Sequence, residues 1–327
     1  MTRLLSAKLL ERIARLDVGT RRARGGRPAG DRASGVAGSG TVFHEHRSYE
    51  PGDDLRYVDW SAWGRLRSLQ VKVYELEESL DLHVLVDRTS SLGSGVVSKL
   101  EAGCRAAAMV AGAALARGDT VRIQPLPADD GDARRSHPRS GRGAESRTER
   151  TRDGGRTATA IAAARTGALE FTGRRSTSAM LAELAGIVPG ARSQLGDALR
   201  DAFPELRRRG AAVLVTDFLG DPTDWRRAID FLVHRGVETF AFHVVAAEER
   251  HPSFAGPVRL RDAETGVTQE IDLDDAALGA YERRFEHHLR EVGAFLRGRG
   301  VVHVLVETSH AGEGDLLRLL LRRGVLR

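Results

Sequence analysis

Two aspartates at the ends of apolar runs are the first residues in this chain whose placement suggests chemistry. LHVLVD ends in Asp87 and is followed by Arg88, Thr89, Ser90 and Ser91, so a carboxylate and two hydroxyls at alternate positions share one short loop. VLVTDF places a second carboxylate, Asp217, after another apolar run, and GARSQLGDAL offers the hydroxyl of Ser193. Two carboxylates with the hydroxyls of Thr89, Ser91 and Ser193 make a hard oxygen set suited to Mg²⁺. That ion binds few carboxylates and keeps waters, one of which a partner's carboxylate can replace. The same residue types also cap helices and close turns, a reading that needs no ion.

The second group is EPGDDLRYVDW, residues 50 to 60. Pro51-Gly52 supplies a tight turn, and Asp53 and Asp54 are placed to accept backbone N–H bonds or to pair with Arg56. Asp59 precedes Trp60 and is within reach of Arg65 or Arg67. Charges beside tryptophans are costly unless paired. Whether the segment is a structural network or a docking surface, Asp53 and Arg56 are therefore expected to be satisfied inside the fold. Other chemistry finds little support. The chain has no Gly-x-Ser-x-Gly elbow, Walker loop or His-Glu-x-x-His. Asp87 as a phosphotransferase nucleophile lacks the second carboxylate two residues on, where Thr89 stands. His287 and His288 point about 100° apart on a helix and make no ready metal pair. His243 and Cys104 read as core residues.

The elements that must position these groups follow from periodicity. Strands are expected at 82–87, 119–126, 211–218, 237–245 and 301–307, with helical runs at 98–117, 177–187, 195–209, 223–235 and 276–298. Near-continuous apolar strands alternating with helices point to a doubly wound, mostly parallel α/β sheet covered on both faces, with its functional crevice at the carboxyl ends of the strands. PVRLRDAETGVTQEIDL reads as an inserted β-hairpin. Leu5, Leu9, Ile13 and Leu16 share one face of a short N-terminal helix, and the Gly/Arg/Ala stretch 19–40 reads as linker. Six of the seventeen aromatics fall between Phe43 and Tyr74, and SLQVKVYELEES alternates as a half-buried strand. The expected division is an N-terminal extension, 1–80, and a sheet domain, 81–327.

Composition narrows the classes. Of 327 residues, 41% are hydrophobic, which is enough for a sizeable core and excludes a disordered chain. The longest apolar run, Ala106 to Ala116, is too short to span a bilayer. Cys104 is the sole cysteine, so no intrachain disulfide or thiolate cluster is possible, and a reducing, cytoplasmic setting is expected. The net charge of +5 is unevenly spread. Residues 1–32 hold nine basic residues against three acids and 127–176 hold eleven against seven, leaving the remainder acidic, near −5. An Arg-rich nucleic-acid tether is thus confined to those two segments. The second of them holds PADDGDARRSHPRSGRGAESRTERTRDGGRT, residues 127 to 157, with almost no apolar residues, and reads as a disordered insertion near 127–170.

The chain resembles the von Willebrand factor A-like bacterial proteins catalogued as domain-of-unknown-function family 58. The likeness is carried by GSGTVFHEHRSYEPGDDLRYVDW (38–60), KVYELEE (72–78), LVDRTSSL (85–92), SKLE (98–101), RGDTV (117–121), VTDF (215–218), RDAETG (261–266), Tyr281 and His288. It implies a metal-ion-dependent adhesion-like site of Asp87, Thr89, Ser91, Ser193 and Asp217, holding Mg²⁺. Thr89 stands where the pattern has serine and Ser193 where it has threonine; both keep the hydroxyl. It further implies a non-enzymatic interaction module, an adaptor or partner of a MoxR-type AAA+ ATPase, without specific nucleic-acid binding. Many such proteins carry membrane spans near the N-terminus; here none is expected, so action from the cytosol or recruitment by a membrane partner follows. The rival readings are an Mg²⁺-dependent phosphoester hydrolase using Asp87 and the nucleic-acid tether.

Overall fold

A computed structural model describes residues 4–20, 41–53, 55–76, 79–126, 168–190, 194–202, 210–253, 256–262 and 266–327. They divide into two compact units, Met1–Arg21 with Leu80–Arg327, and Arg22–Ser79. The insertion expected at 127–170 and the end of the helical run at 195–209 lie largely outside the described residues.

The larger unit is built on six strands: β3 (Asp81–Val86), β4 (Thr120–Pro125), β5 (Leu169–Thr172), β6 (Ala211–Thr216), β7 (Glu238–Val245) and β10 (Val302–Glu307). Their order is β10-β7-β6-β3-β4-β5, parallel throughout except for β5, which runs antiparallel to β4. Both faces of the central strands are apolar, as burial by helices on two sides requires. Leu82, Val84 and Val86 of β3, with Val213 and Val215 of β6, face a core shared with the Lys99–Arg117 helix. Leu85, Leu214 and Ala241 face the opposite core, against Trp225 and Ile229 of the Pro222–His234 helix and Val292 and Leu296 of the Asp275–Gly298 helix. The alanines of Lys99–Arg117 allow it to lie close on the sheet. At Gly103 a Cβ would sit 2.3 Å from Val215 Cγ1, so only glycine fits that contact.

The Ala7–Ile13 helix belongs with this sheet unit, although the sequence division had set it with the extension up to residue 80. Leu5, Leu9 and Ile13 are buried in the same core, and Ser6 Oγ donates to Glu313 Oε2 at 2.6 Å. A bridge between Val18 and Leu326 fastens the segment to the chain's end. The inserted hairpin forms as expected, from β8 (Gly256–Arg261) and β9 (Thr268–Leu273), antiparallel.

The smaller unit pairs β1 (Thr41–Ser48) with β2 (Gln70–Leu76), antiparallel, around a short Trp60–Leu66 helix. Val58, Ala62 and Val71 form its buried contacts.

Candidate functional site

In the sheet order, β3 connects onward to one side and β6 to the other, so the boundary between them is where the winding reverses. Open α/β sheets form their crevice outside the carboxyl ends of strands at such a boundary. Asp87 follows β3 and Asp217 follows β6, which are hydrogen-bonded neighbours with Val86 opposite Val215. The topology therefore brings the two aspartates to one rim. Asp87 N–H donates to the Val215 carbonyl at 2.9 Å, continuing the ladder to the site itself.

Asp87 is 3% exposed. Its Oδ2 accepts the Thr216 hydroxyl at 2.8 Å and its Oδ1 the Thr89 amide at 3.0 Å. Burial, and secondarily the neighbouring Asp217, push its pKa up to about 6. Thr89 and Ser91 share a hydrogen bond between their hydroxyls at 3.1 Å, so the alternate spacing read in the sequence does place them together. Asp217 is aimed by the turn that follows it. Phe218 adopts a left-handed backbone, φ 53°, rare for a bulky residue and characteristic of strained functional turns. The Leu219 amide donates to Asp217 Oδ1 at 3.2 Å. Edge-on contacts hold Phe218 against Trp225 and His243, with centroids 5.6 and 5.2 Å away. Ser193 lies outside the described residues.

One participant was not anticipated. Lys99, at the start of the long helix, is fully enclosed and sends its ammonium to Asp217 Oδ2 at 2.8 Å and to Glu249 Oε1 at 2.5 Å. Glu249 is itself fixed, since its Oε2 accepts the Ala246 amide at 3.1 Å. These partners lie 118 and 150 residues from Lys99 along the chain, beyond any local spacing rule. A compositional signal did exist. Only three of the fifty basic residues are lysines, Lys8, Lys72 and Lys99. Two of those three sit against carboxylates: Lys99, and Lys72 at 3.5 Å from Asp59. A compact ammonium fits between two carboxylates where a planar guanidinium does not.

Among the described residues, the carboxylates of the expected Mg²⁺ set already have partners. Both Asp87 oxygens accept hydrogen bonds, and Asp217 Oδ2 accepts from a buried ammonium. Among the described residues, no group of three or more His, Cys, Asp or Glu is arranged to hold a metal.

Behind the site, His243 is fully buried, with Nδ1 3.4 Å from His303 Nε2 and with Nε2 lacking a partner among the described residues. Burial lowers the pKa of both rings, His303 to about 4. The His288 ring packs edge-on to His243, centroids 6.2 Å apart. A recess of about 410 Å³ beside Leu305, Glu307 and Arg318 lies at edge strand β10, three strands from Asp87.

In the smaller unit the EPGDDLRYVDW segment forms a network with different partners from those expected. Asp53 accepts Arg47 Nη2 at 2.8 Å and the Glu50 amide at 2.8 Å, closing the Pro51-Gly52 turn, where Gly52 has φ 110°. Asp59 caps the Trp60–Leu66 helix by accepting the Ser61 and Ala62 amides, and it meets His46 at 2.9 Å. Those bonds, the Ala62 amide foremost, hold its pKa near 2. Arg65 instead turns to the Ser61 carbonyl, and Arg67 lies over the Trp63 ring. Asp54 lies outside the described residues. Arg56 and Trp60 are exposed, Trp60 by 60%.

Comparison with known proteins gives a family match. The profile described as "Protein of unknown function DUF58" matches residues 45–151 and 150–291. Uncharacterized proteins of Mycobacterium tuberculosis and Mycobacterium bovis are 29% identical over 302 residues, covering 91% of this chain and 84% of theirs. Among solved structures, conserved hypothetical protein BatB from Bacteroides thetaiotaomicron aligns over 75% of this chain and 98% of its own, at 13% identity and a TM-score of 0.38. No helix among the described residues is long and apolar enough to cross a membrane.

Proposed function

We propose, from the premise that this chain belongs to the protein family of unknown function DUF58, that it is a protein-interaction module docking its partner on the carboxyl-end rim of the sheet. The observation that supports this most is the apolar surface on the rim loops. Val96 is 91% exposed after β3, Leu219 is 43% exposed after β6, and Val188 is 60% exposed in the loop hydrogen-bonded to Arg88. Exposed apolar side chains on loops that follow the strands bearing the polar floor are what a docking surface offers, because the partner's burial of them drives association. On this reading Asp87, Thr89, Ser91 and Asp217 shape the floor and none is catalytic.

The resemblance to von Willebrand factor A-like proteins supplies the finer proposal, that the partner is a MoxR-type AAA+ ATPase and this chain its adaptor. Equilibrium binding of the full chain to such a purified ATPase tests it. Val96→Asp and Leu219→Asp should each weaken binding about tenfold or more, as loss of a central apolar contact does. Undiminished affinity in both variants would move the docking point off this rim.

A further inference from the structure

Asp217 reaches the rim from the turn after β6 and Glu249 from the short Ala247–Arg250 helix after β7, and what lies between them is the ammonium of Lys99. We propose that Lys99 is the built-in cation of this site, holding the charge-compensating position that a divalent ion would otherwise take, so that the rim is organised without metal. The inference concerns how the site is held together and stands whether or not the docking proposal does.

Three features carry it. Lys99 is completely enclosed, and a buried ammonium persists only where carboxylates compensate it; both of its carboxylate partners lie within hydrogen-bond distance. Those partners are anchored independently of it, Asp217 by the Leu219 amide and Glu249 by the Ala246 amide. The pocket is therefore shaped to present two oxygens to one cation. Finally, Lys99 is the first residue of its helix, and Ser94 and Ser98, just ahead of it, are tied down. The Ser94 hydroxyl donates to the Ser91 carbonyl at 2.6 Å, and that of Ser98 to the Leu92 carbonyl at 3.1 Å. The loop bearing Thr89 and Ser91 is thus braced against the helix start from which the ammonium extends. A metal ion orders such loops by drawing oxygens inward; here an amine on the protein itself does so, with three N–H donors directed outward.

The test uses the full chain, treated with EDTA and dialysed. Thermal unfolding and calorimetric titration are run with MgCl₂ and, separately, MnCl₂ as the only ligand. Wild-type protein is expected to melt at the same temperature with chelator as with millimolar metal and to show no saturable heat. Lys99→Ala leaves two anchored carboxylates without a counter-charge, so this variant should gain saturable Mn²⁺ binding and a metal-dependent rise in Tm of several degrees. Should it fail to fold, Lys99→Met is compared with Lys99→Met combined with Asp217→Asn; the double variant leaves one uncompensated carboxylate in place of two and should melt well above the single one. Saturable metal binding by the wild type, a drop in its Tm on chelation, a folded Lys99→Ala protein indifferent to metal, or a double variant no better than Lys99→Met each overturns the proposal.

Discussion

Replacing Asp87 by asparagine should stabilise the fold near neutral pH, by an amount that shrinks as pH falls and vanishes below the ordinary carboxyl value. The carboxyl group is buried and its pKa stands at about 6 in the folded chain against an ordinary 3.8, raised by burial first and by Asp217 second. The folded state therefore binds this proton more readily than the unfolded chain does. Below the ordinary value both states are protonated and there is no penalty. As pH rises toward 6 the unfolded chain ionises first and stability falls, and above 6 the penalty is constant. Two pH units at about 1.4 kcal/mol each put that penalty at about 3 kcal/mol. Asparagine keeps an acceptor for the Thr89 amide and can donate to Thr216 Oγ1, whose hydrogen turns elsewhere. Imperfect geometry offsets part of the gain, so a net stabilisation of about 1–3 kcal/mol is expected near pH 8. Urea unfolding of both proteins from about pH 4 to about pH 8 measures it. The informative quantity is the difference between the two curves. His83 and His303, with pKa values pushed to about 4 chiefly by burial, make stability rise with pH over part of the same range, and that slope is common to both proteins. A variant less stable than wild type near pH 8, or a difference independent of pH, would refute the reasoning; ionised Asp87 ligating a metal would give the former.

Two further predictions concern the core helix Lys99–Arg117. Cys104 is buried and its thiol pKa is pushed up to about 12 by burial, so native protein should resist maleimide at mildly alkaline pH and react promptly once urea unfolds it; rapid native labelling would contradict the packing. Gly103→Ala brings a methyl group 2.3 Å from Val215 Cγ1, and the resulting overpacking, about 1–3 kcal/mol, should outweigh the roughly 1 kcal/mol gained in helix propensity, giving a lower urea midpoint.

The sheet was legible in the sequence because its strands are buried on both faces and so read as unbroken apolar runs; β3, β4, β6, β7 and β10 begin and end within two residues of expectation. The hairpin β8–β9 was marked by alternation around Glu-Thr-Gly. Elements with less regular patterns escaped. The Glu313–Arg322 helix follows its strand after a short polar turn, the Trp60–Leu66 helix is only seven residues long, and β5 lies at the end of a stretch read as low in complexity. At the site, Asp87 and Asp217 could be found from strand ends, since the winding order alone brings them together. Lys99 and Glu249 could not, because their meeting depends on how a helix start and the short helix after β7 approach in space. Asp59 shows the same limit on a smaller scale. Arginines close in sequence suggested its partners, whereas the antiparallel pairing of β1 with β2 delivers His46 and Lys72 instead.

The reversed edge strand has a bearing on how copies of this chain behave when crowded. A sheet whose last strand ran its full length would offer neighbours an open ladder on which to add. Among the described residues that margin is the four-residue strand Leu169–Thr172, and Glu170 on it pairs with Arg122 at 2.9 Å. An incoming strand would find few backbone groups to pair with and a charged pair beside them, conditions under which sheets do not zipper together. On that side, the described residues give a second copy little to pair with.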